Sequence, residues 1–160
     1  MKKSLVLLLT AVLIILPSCG QKVNNETVTP LRPDCKVSVN YNGTDYSAQV
    51  KYSETGIMSV KMLSPLEGVT LTEDDSGCTV SYDGMKLNYT AEQAKSFCPF
   101  MELYEILKTV CYTVPESAVL NSGQYRLKYQ TSEMSCDAVS NKDDGSLVEI
   151  ETEKMRFVFE

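Results

Sequence analysis

The sequence predicts a mainly β domain of the α+β kind: a curled antiparallel sheet, or incomplete β-barrel, of about ten strands with one helical insertion acting as a lid. Three observations carry that expectation. Apolar and polar residues alternate through most of 35–89 and again through 125–159, the period of a half-buried strand. Turn pairs such as Asn42-Gly43 and Asp83-Gly84 separate the runs, as tight hairpins require. A single stretch, 91–112, has no glycine and repeats its apolar residues at helical rather than strand spacing.

The elements begin with an export signal. Met1-Lys2-Lys3 precedes an apolar run from Leu5 to Leu16, broken only by Thr10. A positive start, a short apolar core and a small residue before a cleavage point mark a secretory signal. The run is too short to span a bilayer, which takes roughly 20 residues. Leu16-Pro17-Ser18-Cys19 resembles the bacterial lipobox. That resemblance implies cleavage before Cys19, a diacylglyceryl thioether on its sulfur and acylation of its new amine, so that the chain is lipid-anchored on the extracytoplasmic face of the cell membrane. Each buried methylene contributes about 0.8 kcal/mol, and two acyl chains hold where one holds only marginally. The expected organisation is therefore a signal over 1–18, the lipidated Cys19 with a flexible polar tether over 19–34, and a folded domain over 35–160.

In the domain, Cys35, Val37, Val39 and Tyr41 share one face, and the run stops at Asn42-Gly43. Tyr46, Ala48, Val50 and Tyr52 form the second strand. Met58, Val60 and Met62 form the third, and Val69 with Leu71 a short fourth. Cys78, Val80 and Tyr82 follow, turned by Asp83-Gly84 into Met85, Leu87 and Tyr89. The helix is expected at 99–112, because Pro99 suits a first turn and Phe100, Leu103, Tyr104, Leu107, Val110 and Cys111 fall on one side. A separate turn precedes it at 91–97, and a loop from Pro115 to Gly123 follows. Four more strands close the chain, through Tyr125–Tyr129, Met134–Ala138, Val148–Thr152 and Met155–Phe159.

Composition narrows the chemistry. Lys2 and Lys3 leave with the signal, so 13 basic residues face 21 acidic ones, a net charge of −8. Such a domain does not suit nucleic acid. The chain has no His and no Trp, which excludes His-based triads and His-ligated metals. No cofactor and no metal site is expected. Asp74-Asp75 and Asp143-Asp144 lie beside glycines in turns, where local turn chemistry explains them. Cys35, Cys78, Cys98, Cys111 and Cys136 are an odd number of thiols after Cys19 is lipidated. Cys98 and Cys111 would stand roughly 20 Å apart along a continuous helix, too far to bond. Cross-strand pairs such as Cys78 with Cys136 stay open. Most of the five fall on apolar faces, where a thiol acts as a small hydrophobe. An enzyme is not expected.

A sheet of ten strands curls strongly, and one short helix would leave part of its inner wall bare. Val50, Tyr52, Met58, Val60, Met62, Val80, Tyr82, Phe100, Leu103, Leu107, Leu127, Tyr129 and Phe157 are then the expected lining of an apolar cavity. The layout of signal, lipidated Cys, tether, meander, helical break and second meander resembles the LolA/LolB-like small lipoproteins of Firmicutes. The segments Ser64-Pro65-Leu66-Glu67-Gly68-Val69-Thr70-Leu71 and Cys78-Thr79-Val80-Ser81-Tyr82-Asp83-Gly84-Met85-Lys86-Leu87 are similar to theirs. The resemblance implies a half-barrel with a helical lid over a cavity for acyl chains, and it transfers no catalytic residue. The favoured expectation is a monomeric, anchored binder of an acyl lipid or other apolar small molecule. The alternative is an accessory lipoprotein whose core is filled and whose surface contacts a protein partner.

Overall fold

A computed structural model describes residues 21–95, 98–132 and 134–160. The signal segment and Cys19 lie outside the described residues. Within them the chain forms β1 (Gln21–Lys22), β2 (Asp34–Tyr41), β3 (Thr44–Tyr52), β4 (Met58–Ser64), β5 (Thr70–Asp74), β6 (Gly77–Tyr82) and β7 (Met85–Tyr89). A short helix α1 (Ala91–Lys95) and the main helix α2 (Pro99–Tyr112) follow. The second half holds β8 (Ser117–Asn121), β9 (Gln124–Gln130), β10 (Ser135–Asn141), β11 (Leu147–Thr152) and β12 (Arg156–Phe159).

All twelve strands belong to one antiparallel sheet, in the order β1-β8-β9-β10-β11-β12-β2-β3-β4-β5-β6-β7. The two meanders join where the last strand meets the first long one, Phe157 opposite Val39. The sheet does not close: β1 and β7 are its edges. The curled sheet with a helical insertion that the alternation predicts is therefore the fold, and α2 has the bounds that Pro99 and the apolar spacing suggest.

Two strands exceed the expected ten. β8 lies in the stretch read as a loop, and β1 lies in the stretch read as tether. Gln21 pairs with Leu120 and Lys22 with Val119. Beyond β1, the Val23 N–H donates to the Ala118 carbonyl at 3.2 Å, and the Leu31 N–H donates to the Gly145 carbonyl at 2.8 Å. Val28 is buried in the core. Residues 21–33 thus run as a strap against the sheet. A further difference is a register shift between Val139 and Ser140. It buries Leu147 with Ile150, while Val148 is only half-buried, where simple alternation puts Val148 inward.

The core lies between the concave face of the sheet and α2. Phe100, Met101, Leu103, Tyr104, Ile106, Leu107, Val110 and Cys111 are all buried on the helix, and they meet one cluster of sheet residues from both meanders. The helix starts without a side-chain cap at Cys98, relying on proline in its first turn. At its far end the Thr113 N–H and hydroxyl both donate to the Thr109 carbonyl, at 3.0 Å and 2.6 Å.

Candidate functional site

The expected cavity wall is brought together and covered by the helix. Val50, Tyr52, Met58, Val60, Met62, Leu127, Tyr129 and Phe157 from the sheet, with Phe100, Leu103 and Leu107 from α2, are buried in a single cluster. Contacts cross directly between the two layers. Phe100 packs on Phe157 with ring centroids 6.5 Å apart. The Cys78 thiol meets the Met101 sulfur at 3.3 Å. The Tyr129 hydroxyl donates to the Val110 carbonyl at 3.2 Å, giving a buried phenol its partner. At these three points the side chains of helix and sheet are in direct contact.

The remaining two expected lining residues lie elsewhere. Val80 is half-buried and Tyr82 is 51% exposed. Both lie on the β6–β7 hairpin beyond Cys78, the β6 residue that meets Met101 of α2. Met85 and Leu87, paired with Tyr82 and Val80 across the hairpin, are 63% and 58% exposed. The inner face of the β7 edge is therefore apolar and bare, and Leu66, also exposed, lies in the neighbouring β4–β5 connection. The start of this hairpin is pinned by a close approach. Gly77 has φ of +142°, and a Cβ there would stand 2.5 Å from the Tyr89 carbonyl oxygen, so only glycine fits.

Between α2 and the β3 end a cleft of about 340 Å³ stays open, lined by Tyr52, Glu54, Asp75, Tyr104, Lys108 and Tyr112 among others. Tyr52 meets Tyr104 and Tyr112 edge-on, at 6.1 and 6.0 Å. The protein's own cations cover two of these rings, Arg32 at 5.1 Å from the Tyr112 centroid and Lys108 at 5.4 Å from that of Tyr104. The hydrogen bond and charge of Lys108, with a bond from the Tyr104 hydroxyl, hold the Asp75 carboxyl below its usual value. Burial, then the Asp75 charge, pushes the Tyr104 phenol up. The Lys108–Asp75 pair is thus compensated within the cleft, while the buried Tyr52 hydroxyl finds no hydrogen-bond partner there among the described residues.

A second cleft, of about 620 Å³, lies where the 28–33 strap crosses the sheet end. Leu31, Pro33, Cys35, Leu147, Val148 and Phe159 give it an apolar wall. A third, of about 730 Å³, is lined by the polar outer side chains Lys36, Ser38, Asn40, Ser47, Glu151 and Arg156 with neighbours. The Lys36–Glu160 pair at 2.6 Å marks that region as a solvated outer face.

Among the described residues the five cysteines, Cys35, Cys78, Cys98, Cys111 and Cys136, are all free thiols. Burial pushes those of Cys78, Cys111 and Cys136 up to about 11 and raises Cys98 as well. Cys35 is only half-buried and is raised by burial and by Asp34. A thiol held protonated at neutral pH is a poor nucleophile. The acidic turns are local structures. Asp74 accepts from the Ser76 N–H at 2.8 Å and Asp144 from the Ser146 N–H at 2.9 Å. Among the described residues no three His, Cys, Asp or Glu side chains gather as metal ligands. One buried acidic residue escapes the sequence reading: Glu73, fully buried opposite Cys78. Its position two residues beyond Leu71 puts it on the inner face by the same alternation.

Compared with known proteins, the chain matches no family model and no curated relative.

Proposed function

We propose that this chain is an exported lipoprotein, held on the extracytoplasmic face of the membrane by an acylated Cys19, whose domain acts as a non-enzymatic accessory module. Its interior is self-filled, and it contacts a protein partner by accepting an extended strand on the open β7 edge. The observation that carries the reading is a contrast in burial. The apolar residues Phe100, Met101, Leu103, Tyr104, Ile106, Leu107, Val110 and Cys111 of α2 are covered, while Met85 and Leu87 stay bare on the edge strand β7, beside Tyr82 on β6. An exposed edge offers unpaired backbone donors and acceptors, and strand addition draws affinity from those and specificity from alternate side chains. The lipobox resemblance supports the anchor, and the raised thiols speak against a cysteine nucleophile.

The test is photo-crosslinking in the producing cell, with a photoreactive residue at Leu87 and, as a control, at Lys61 on the outer face of β4. The reading expects a discrete adduct from Leu87 only. Equal labelling from both positions, or from neither, overturns it.

A second reading, binding of an acyl lipid or other apolar small molecule, is favoured by the 620 Å³ cleft with its Leu31, Phe159 and Leu147 wall. Native mass spectrometry of the unlipidated domain separates the two. Bare chain supports the filled module, and stoichiometric co-purified lipid supports the binder.

A further inference from the structure

We propose that the domain sits directly on a zwitterionic lipid surface, with the sheet end that bears the 53–57, 122–123 and 142–146 turns against the headgroups and the β6–β7 hairpin tip pointing away. The proposal rests on the reading of Cys19 as the acylated N-terminus.

The argument is one of reach and strand direction. Cys19 lies two residues before Gln21, and two residues span at most about 7 Å. Gln21 is already paired with Leu120, at the end of β8 that leads into the 122–123 turn. Because every neighbouring pair in the sheet is antiparallel, the β3–β4 and β10–β11 turns lie at that same end. The strap holds the register beyond β1: the Asn25 amide donates to the Glu116 carbonyl at 2.8 Å, Val28 is buried, and Leu31 is tied to Gly145. A lipidated Cys19 therefore brings this end of the sheet to the headgroup layer, with no spacer to lift it off.

The surface found there fits such a layer. Leu31, Ile57 and Tyr112 are exposed apolar residues at this end, with the Arg32 guanidinium over the Tyr112 ring. An apolar body with a polar tip suits the membrane interface. Glu54, Asp75, Asp143 and Asp144 belong to turns at the same end. With Lys108 paired to Asp75, Arg32 4.0 Å from Glu54 and Lys142 beside Asp143, charges of both signs mix at this end, which suits a zwitterionic headgroup layer and keeps the turns out of the hydrocarbon. The six residues of β6 run from this end to the hairpin tip, about 20 Å at 3.3 Å per residue. The apolar β7 edge is thereby presented at a distance from the lipid.

The chain lacks tryptophan, so a single introduced indole reports position cleanly. Full-length lipidated protein carrying Asp143→Trp or Glu67→Trp, each replacing one exposed acid in a turn, is reconstituted into phosphatidylcholine vesicles doped with a dansyl-headgroup lipid. Energy transfer from Asp143→Trp is expected to exceed that from Glu67→Trp several-fold. Equal transfer, or the reverse order, in protein that floats with the vesicles overturns the orientation alone. Protein that does not float overturns the anchor and the orientation with it. Thr55→Trp and Lys86→Trp repeat the comparison at the same two ends if either first variant misfolds.

Discussion

Phe100→Ala distinguishes a filled interior from a hollow one. Phe100 is fully buried on α2, with its ring centroid 6.5 Å from that of Phe157. Removing the ring forfeits a transfer free energy of about 1.5–3 kcal/mol for a buried phenylalanine. In a filled core the substitution also opens a void of roughly 100 Å³, which at ~24 cal/mol per Å³ adds about 2.4 kcal/mol. The expected loss is thus ~4–5 kcal/mol, of which the void supplies about half. In a sheet that already encloses an empty cavity the ring borders space on one side, so truncation enlarges an existing void and costs little beyond transfer. The assay is urea unfolding of the unlipidated domain, residues 20–160, followed by circular dichroism. With a slope of ~2 kcal/mol per molar for a small domain, the midpoint should fall by about 2 M at unchanged slope. A fall worth less than ~2 kcal/mol would refute the reasoning, because it would show that the space beside Phe100 was open beforehand.

Tyr129→Phe removes the donor to the Val110 carbonyl and should cost about 1 kcal/mol in the same unfolding assay. Gly77→Ala forces a Cβ to 2.5 Å from the Tyr89 oxygen at a φ of +142°, and should destabilise by about 1–3 kcal/mol, with the β6–β7 amides losing hydrogen-exchange protection first. Alkylation with a maleimide at pH 8 should label half-buried Cys35 first, while Cys78, Cys98, Cys111 and Cys136 react only after unfolding, as peptide mapping will show. Asp75 is held below its ordinary carboxyl value of 3.8 by Lys108. Its stabilising share is therefore fully present above the unfolded pKa and is lost as pH falls through the lower folded value. Lys108→Met should lower the neutral-pH plateau of a thermal-melt pH profile slightly and flatten its acidic fall, the two proteins converging at low pH.

What could be read from the sequence followed the local period. Alternation from Cys35 to Tyr41, with Asn42-Gly43 behind it, needs no partner to declare a strand, and β2 and β3 pair in full register across that turn. Pro99 and the apolar spacing behind it located α2 for the same reason. What escaped depends on distant neighbours. β8 is short, and β1 comprises two polar residues whose only signal is the backbone they pair with 97 or more positions away. Val28 and Pro30 are isolated among polar residues, yet both are buried where the strap crosses the sheet end. The candidate site shows the same division. Alternation correctly placed Val50, Met58, Val60 and Tyr129 inward. It assigned Tyr82, Met85 and Leu87 the same face, but coverage of that face depends on how far a 14-residue helix extends, which no period encodes. Glu73 obeyed the alternation and was overlooked because a carboxylate on an inner face looks like a turn residue beside Asp74 and Asp75.

The account stands on an interior that the chain fills with its own side chains. The direct measurement is titration of the unlipidated domain with a fluorescent fatty acid, read by emission and by displacement with unlabelled palmitate. The account predicts no saturable binding at the sheet–helix interface. Saturable one-to-one binding that is displaced by palmitate, and that is lost in a Leu107→Trp variant whose circular dichroism is unchanged, would contradict it.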